Sequence, residues 1–313
     1  MRTFLSLSLL LLYFPNLVLA ISGQGTTSAS FLKFGFGPRA IAMGEAFTGV
    51  ADDVSSIYWN PAGLEQLDRT ELTAMHTLWN AIFIDHLAVN LPYLNGSLGI
   101  SLVYLNLSDF PLSDEQASLD DTNNKKFSAF NLGASLAYGF SFTDDLALGA
   151  SIKLFTENIY QKANIGAAID IGLLYKLAWN GISLGAVLQN LGPPPTSMDK
   201  EYFRLPLNIK LGLAYYPLPN FLLTLDYNQL LEQSGSLALG FEHNFQNFLS
   251  LRLGYKFQEK FDNHEVYTNE KNNFIAGLSG GLGVYYEKFS VDYACVPYGF
   301  LSNSHRIAIT YFF

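Results

Sequence analysis

The sequence predicts an all-β fold, a transmembrane antiparallel β-barrel of about 14 strands with an N-terminal plug that contains short helices. Charged residues make up 14% of the 313 residues and aromatic residues 15%, whereas soluble domains carry about 25% charged residues. After the N-terminus no run of ~18 apolar residues occurs, which excludes helical membrane spans. The later sequence alternates with a period of two, and a closed barrel is the remaining structure that pairs all its backbone groups within a bilayer.

Residues 1–20 have the pattern of a secretory signal peptide. Arg2 supplies a short basic start, Phe4 to Phe14 form an apolar core, and the small-residue end of this segment favours cleavage after Ala20. An uncleaved anchor is the alternative, but Pro15 interrupts the apolar run early. The pattern therefore predicts export across the inner membrane.

Residues 21–68 form an irregular segment that we expect the rest of the chain to enclose as the plug. Its centre, Phe34–Leu64, is rich in glycine and other small residues. A proline favours a short helix over Arg39–Ala46, and Asp52 is placed to cap a second helix over Asp53–Tyr58. That second helix must end before Pro61, because the residue that precedes a proline disfavours the helical conformation.

Residues 69–313 have the pattern of the barrel. Apolar residues alternate with small or polar residues in stretches such as Leu207–Tyr215 and Leu249–Gln258, although the strands of a soluble sandwich also alternate. The candidate strands lie near 70–78, 84–92, 96–107, 127–141, 144–157, 163–177, 180–190, 206–216, 220–230, 235–245, 248–258, 273–285, 287–296 and 304–313. Charged residues of the clearer strands fall on the polar face, which favours a membrane barrel, since a lysine or arginine facing lipid near the midplane costs about 2–4 kcal/mol. These residues are Lys153, Asp170, Lys176, Lys210, Asp226, Glu242, Arg252, Lys256, Lys288, Asp292 and Arg306.

The connections between these strands alternate between short and long. Tight links, for example at Thr143 and Tyr286, alternate with longer ones such as 108–126 and 259–272, as in outer-membrane barrels with short periplasmic turns and long external loops. This arrangement predicts two aromatic rims. One holds Phe140, Tyr215, Phe221, Phe245, Phe289 and Tyr311, and the other holds Tyr104, Phe130, Tyr227, Tyr255 and Phe274. We therefore expect a bacterial outer-membrane location, with membrane lipid around the barrel.

The N-terminal segment resembles the signature of the PorV/PorQ family, within the wider FadL-type outer-membrane transporters. The residues that carry the resemblance are Gly35 to Ala40, Met43-Gly44, Ala51 to Asp53, Trp59 to Leu64 and, later in the chain, Asn190 to Pro194. The resemblance implies a 14-stranded barrel whose N-terminal segment folds inward as a plug, often called the hatch. It also implies one of two functions: a type IX-like secretion barrel that binds exported protein domains or secretion machinery, which we favour, or a FadL-like passive transporter of fatty acid or another hydrophobic ligand.

Three groups of candidate site residues follow, the first two with a structural alternative. A plug latch would use Asp52, Asp53, Asn60, Pro61 and Ala62, unless these residues only cap and turn the short helices. A binding site for a hydrophobic ligand would be lined by Phe34, Phe36, Met43 and Trp59, unless these residues only pack the plug against the wall. A partner-binding loop would present Pro193, Pro194, Pro195, Tyr202 and Phe203.

Other functional classes find little support. No strand-and-helix context surrounds the glycines near Pro38, the five histidines show no paired metal spacing, and no catalytic set emerges, so we predict a protein that is not an enzyme and has no cofactor or metal. The net charge of −9 argues against nucleic acid as a partner. Cys295 is the single cysteine, which excludes an internal disulfide. Acidic residues in 108–126 are a candidate Ca²⁺ site, although we favour a solvated external loop as their explanation.

Overall fold

The computed structural model describes residues 27–111, 126–159, 162–177, 181–195, 203–246, 248–258, 277–298 and 302–313. Within them, 14 antiparallel strands form a closed barrel in which each strand pairs with its neighbours in the chain and β1 pairs with β14. The predicted fold class is confirmed. The predicted signal peptide, Phe274 and most of the acidic loop lie outside the described residues.

The strands lie close to the predicted positions. They are β1 (Glu71–Trp79), β2 (Ile82–Tyr93), β3 (Gly96–Pro111), β4 (Lys126–Ser141), β5 (Leu146–Ile159), β6 (Lys162–Lys176), β7 (Ile182–Leu191), β8 (Asn208–Leu218), β9 (Phe221–Leu230), β10 (Ser236–Phe245), β11 (Leu249–Gln258), β12 (Leu278–Tyr286), β13 (Phe289–Pro297) and β14 (Asn303–Phe312).

The two faces of the wall follow the period-two pattern. In β8, Ile209 and Leu211 are exposed while Lys210 and Ala214 are buried, so the apolar set faces outward and the small or polar set faces the lumen. The charges predicted for the inner face are buried at Lys153, Asp170, Lys210, Asp226, Glu242, Arg252, Asp292 and Arg306. Lys288 is a correction: it lies in the turn before β13, because the strand begins one residue later.

The barrel has a turn end and a loop end. The turn end carries the short connections 94–95, 142–145, 219–220 and 287–288, and the loop end carries 112–125, 192–207 and 259–277. Two connections at the loop end are also short, at 80–81 and 160–161, so the alternation of lengths is incomplete. Aromatic side chains pack against one another at the turn end, as in Phe289 with Tyr311, whose ring centroids are 4.9 Å apart.

Residues 27–67, the lumenal segment, run through the barrel from the loop end to the turn end. The segment contains a 3-10 helix (Ser30–Lys33), α1 (Pro38–Ala42), α2 (Ser56–Trp59) and a second 3-10 helix (Pro61–Gln66). Both α-helices are shorter than predicted, and none of the helices in the described part of the chain is long and apolar enough to cross a membrane.

The predicted helix cap at Asp52 is wrong. Helix α2 begins after Ser55, and no side chain caps it. Asp53 instead accepts hydrogen bonds from the backbone N and the hydroxyl of Ser55, and Asp52 pairs with Arg39. Asp52 therefore pairs with Arg39 and does not cap the helix as predicted.

A lysine at position 239 tests the outward face. Leu239 lies on β10 with its side chain outward, and Leu239→Lys is expected to cost about 2–4 kcal/mol of unfolding free energy because the ammonium group would face hydrocarbon. Urea titration in lipid vesicles measures this, with Leu239→Ala as the control for lost side-chain volume. Equal losses in the two variants would contradict a lipid-facing position.

Candidate functional site

Inward-facing glycines let the lumenal segment approach the barrel wall at backbone distance. An added Cβ at these positions would come within 3.0 Å of the segment, a separation that real Cβ atoms do not show. At Gly149 it would meet Ala62, at Gly185 it would meet Thr48, and at Gly254 it would meet Gly44. These glycines form the glycine belt: Gly139, Gly149, Gly172, Gly185, Gly212, Gly240 and Gly254. These small inward-facing residues therefore make room for the segment.

Asn60 fixes the end of α2 to the wall. Its side-chain Nδ2 donates to the carbonyl of Thr48 at 2.9 Å and to the carbonyl of Leu173 in β6 at 3.1 Å. Its Oδ1 accepts from the backbone N of Ala62 at 3.2 Å and so caps the following 3-10 helix. The residue is fully buried. Asn60 therefore caps the 3-10 helix and contacts the wall, and its role in a latch stays a prediction.

Arg39 ties α1 to the opposite side of the barrel. Its Nη1 lies 2.6 Å from Asp52 Oδ1 and 3.4 Å from Asp53 Oδ2. Its Nε and Nη2 each donate to a different oxygen of Glu242 in β10, both at 2.8 Å. Burial raises the pKa of Asp53 above its ordinary value, and Arg39 counteracts part of that rise. One guanidinium thus joins the two predicted latch carboxylates to the wall.

The ion pairs continue along the inside of the wall. Arg252, whose side chain is fully buried, contacts Glu242 through Nε and Asp292 through Nη1. Its Nη2 donates to the hydroxyl of Tyr285 at 2.8 Å. Arg39 and Arg252 therefore share Glu242, and a chain of alternating charge runs from the lumenal segment through β10 and β11 to β13.

Wall carboxylates also hold the turns of the lumenal segment. Asp226 Oδ2 accepts from the backbone N of Phe47 at 3.1 Å and from that of Thr48 at 2.9 Å. Glu71 Oε2 accepts from the backbone N of Val54 at 3.1 Å. Glu45 pairs with Lys256 at 2.5 Å. Asp226 and Glu71 thus accept hydrogen bonds from buried backbone N–H groups in the turns of the segment, whereas Glu45 is a carboxylate of the segment itself that pairs with a lysine of the wall.

A small polar cavity of about 160 Å³ lies between the lumenal segment and the turn end. Its lining includes Arg39, Asp52, Asp53, Arg69 and Glu71. An apolar molecule that left the lumen toward this end would have to pass these five charged side chains, of which Arg39, Asp52 and Asp53 are paired with one another. The turn end is therefore a poor exit for a hydrocarbon.

An apolar cluster lies in the loop half of the lumen, beside β2 to β6. Phe31 and Leu32 of the lumenal segment pack there against Ile84, Leu105 and Phe155. The rings of Phe31 and Phe155 meet edge to face, with centroids 5.8 Å apart. Phe36 lies nearby, 4.4 Å from the ring of His86 on β2. An apolar layer therefore backs this part of the wall from inside.

The outside of the same part of the wall carries a groove of about 950 Å³, the wall groove. Two successive outward-facing rows of paired residues line it. The row nearer the turn end is Ile309, Ala74, Leu87, Leu102, Ala134 and Leu154, and the row nearer the loop end is Ile307, His76, Asp85, Tyr104, Leu132, Thr156 and Ile165. Gly133 lies between the rows. Because it has no side chain, the ring of Phe31 lies close behind it on the lumenal side. The outer surface of the wall is therefore concave at this position, and apolar side chains lie on both its outer and its lumenal side.

The wall groove contains polar side chains that the sequence analysis missed. His76 Nδ1 lies 2.7 Å from Asp85 Oδ1, and the two side chains are 49% and 56% exposed. The exposed leucines of β1 are Leu72 and Leu78, at even-numbered positions like His76. Those of β2 are Leu87 and Leu91, at odd-numbered positions like Asp85. The alternation itself therefore places His76 and Asp85 on the outward face.

The predicted lining residues do not meet in one pocket. Met43 and Trp59 lie in one buried cluster, Phe36 in a second, and Phe34 packs against a third. Trp59 Nε1 donates to the carbonyl of Phe36 at 2.6 Å. These residues pack the lumenal segment, and their role as a ligand lining stays a prediction.

The predicted partner loop is described in part. Pro193, Pro194 and Phe203 are exposed and Pro195 is buried, while Tyr202 lies outside the described residues. Arg204 next to Phe203 forms a β-bridge with Thr27, at the start of the lumenal segment. No contact in this region tests a partner-binding role.

Solved structures share this fold. The chain is similar to the CymD monoaromatic hydrocarbon channel, with 12% identity and a TM-score of 0.64 over 89% of this chain and 98% of that one. It is similar to the Pseudomonas putida toluene transporter TodX, with 14% identity and a TM-score of 0.63 over the same shares. A Pseudomonas aeruginosa FadL homologue matches with 12% identity and a TM-score of 0.52 over 88% and 96%. No family model and no curated protein sequence matches the chain.

A methyl group in the glycine belt tests the fit of the segment. Gly149→Ala is expected to lower the unfolding free energy by about 1–3 kcal/mol, because the added Cβ would overlap the backbone of the segment. Gly280→Ala is the matched control, since the nearest atoms there would lie 3.7 Å away. A Gly149→Ala variant as stable as the control would contradict the close approach.

Loss of Arg39 tests the shared ion pairs. Arg39→Met is expected to cost about 3–5 kcal/mol of unfolding free energy, because it removes one of the two guanidinium groups that neutralise buried Glu242 and the cation that pairs with half-buried Asp52 and Asp53. Lys176→Met is the control, since Lys176 pairs with Glu65 at 3.2 Å and its side chain is 44% exposed. Urea unfolding of the two variants measures the difference. A loss of unfolding free energy below about 1 kcal/mol for Arg39→Met would mean that this network contributes no more than an exposed ion pair.

Proposed function

We propose that the protein is a passive outer-membrane channel for small hydrophobic molecules, the second of the two functions that the sequence suggests. The wall groove carries this proposal. It is an apolar depression of about 950 Å³, within the size range of small-molecule sites, and only the strands β1 to β6 separate it from the apolar half of the lumen.

The contacts of the lumenal segment support a route through the wall. The glycine belt and the Arg39 ion pairs hold the segment on several sides, so its removal as one body would break buried contacts in many strands. The cavity toward the turn end is small and polar. For a hydrophobic solute that enters at the loop end, Phe31 and Phe155 offer apolar surface, and we propose that the solute continues sideways into the wall groove and the lipid.

The names of the structural neighbours support the same class of solute. CymD is described as a monoaromatic hydrocarbon channel and TodX as a toluene transporter. These comparisons favour the transporter over the secretion-associated protein, for which the PorV/PorQ resemblance at Trp59 to Leu64 is the remaining argument. We further propose the predicted division of the chain: a signal peptide over 1–20, a plug over 21–68, and a barrel without enzymatic activity over 69–313.

Toluene uptake tests the proposal. Bacteria whose outer membrane contains the protein are expected to accumulate radiolabelled toluene several-fold faster than cells without it. A tryptophan that fills the wall groove, Ala134→Trp, is expected to abolish the difference because it occupies the apolar space between Leu102 and Leu154.

The control for that variant is Ala186→Trp, which adds the same ring on the outward face of β7, away from the groove. Heat-dependent gel migration of both variants checks that the barrel is folded. Uptake at the background rate by the folded wild-type protein would overturn the proposed function, and unchanged uptake by folded Ala134→Trp would overturn the route through the groove.

A further inference from the structure

The outward face of the described strands is almost free of charge, with one carboxylate as an exception. Asp170, Asp226, Glu242 and Asp292 all face the lumen and are buried. Among the strand residues whose side chains the structure describes, Asp85 is the carboxylate that points outward, and it does so inside the wall groove. An ionisable group on a lipid-facing wall carries a free-energy cost, which makes it a candidate functional group.

The register places a partner beside each side of Asp85. His76 lies opposite it on β1, and Tyr104 lies opposite it on β3. His76 Nδ1 contacts Oδ1 of Asp85 at 2.7 Å. No described residue hydrogen bonds to Oδ2, and an ionised carboxylate offers about four acceptor positions. Asp85 therefore keeps acceptor capacity that is directed into an otherwise apolar groove.

The rest of the groove specifies an apolar body. Next to the polar row lie Ala74, Leu87 and Leu102 in the row nearer the turn end, and Ile307 and Leu132 flank the polar residues within their own row. A molecule that covers these side chains presents hydrocarbon to them. To reach Asp85 it needs a hydrogen-bond donor at one edge.

We infer that the wall groove is a binding site for a small apolar molecule with one neutral hydroxyl group, and that the pair His76–Asp85 accepts this hydroxyl. This rests on the proposed function and names its substrate class as hydroxylated aromatic or aliphatic solutes in preference to pure hydrocarbons. The hydroxyl donates to the free oxygen of Asp85 while His76 holds the other oxygen in place. An alkyl or aryl body then covers the leucines of the groove.

A neutral hydroxyl fits this site better than a charged head group. A carboxylate or phosphate would meet the carboxylate of Asp85 and be repelled, and an ammonium group would enter a mostly hydrocarbon surface with one counter-charge already shared with His76. A hydroxyl loses little on leaving water if it finds one acceptor.

Two solutes of nearly the same shape test the inference. Toluene and p-cresol differ by one hydroxyl group, and their uptake rates are compared in cells with and without the protein. After subtraction of the rate in cells without the protein, the wild-type protein is expected to take up p-cresol about fivefold faster than toluene. This ratio corresponds to the net free energy of one hydrogen bond. The double variant His76→Leu, Asp85→Leu is expected to lose this preference, so that its ratio of p-cresol to toluene uptake falls to about one.

Two further variants separate recognition from structure. Asp85→Asn keeps an acceptor oxygen at the same place and is expected to retain part of the preference for p-cresol. Leu72→Ala, Val89→Ala changes an outward pair on the same two strands outside the groove and is expected to leave the preference unchanged. Gel migration after heating reports whether each barrel has folded.

The outcomes are distinct. If toluene does not enter above background, the proposed function fails. If toluene enters and the wild-type protein shows no preference for p-cresol, or the folded double variant keeps the preference, the hydroxyl site is wrong. A membrane lipid that native mass spectrometry finds on the wild-type protein but not on the double variant, without a p-cresol preference, would assign the pair to a resident lipid and overturn the inference.

Discussion

The close approach of two backbones governs this structure. The lumenal segment has short helices that leave many of its N–H and C=O groups unpaired, and it lies where bulk water is largely excluded. The glycine belt brings the wall near enough for side chains such as Asn60 and Asp226 to reach those groups. Without glycine at these positions, a Cβ layer would separate segment and wall, and the buried donors would lose their partners.

The ion pairs add a second kind of attachment between the lumenal segment and the wall. Arg39 and Arg252 share Glu242, so that one carboxylate on β10 connects α1 with the neighbouring strands. The buried carboxylate of Glu242 loses part of its compensation if either guanidinium group is removed, and each arginine in turn contacts a second acid. Barrel closure and segment placement therefore support each other, because the contacts join residues that are far apart in the sequence.

The sequence predicted the barrel well because a strand that separates lipid from lumen must alternate. Period two alone places Ile209 outward and Lys210 inward, whatever the neighbouring strands are. It did not reveal the partners of Arg39, since the pair with Glu242 spans about 200 residues and exists only after the barrel has closed in register. Asp52 was misassigned as a cap for the same reason: local geometry allowed it, and the pairing with Arg39 prevailed.

His76 and Asp85 were accessible to the same reasoning. Leu87, Val89 and Leu91 set the outward parity of β2, and that parity includes Asp85. What the sequence could not supply is the groove around them, because a depression in the wall depends on how β1 to β6 pack against Phe31 and Phe36. The lumen and the outer surface are therefore linked at this wall: the aromatic residues that fill the apolar half of the lumen lie behind the strands that carry the outward polar pair. A solute path through this region would meet apolar surface on both sides and one acceptor at its outer edge, which is the condition under which a single hydroxyl group decides between otherwise similar molecules.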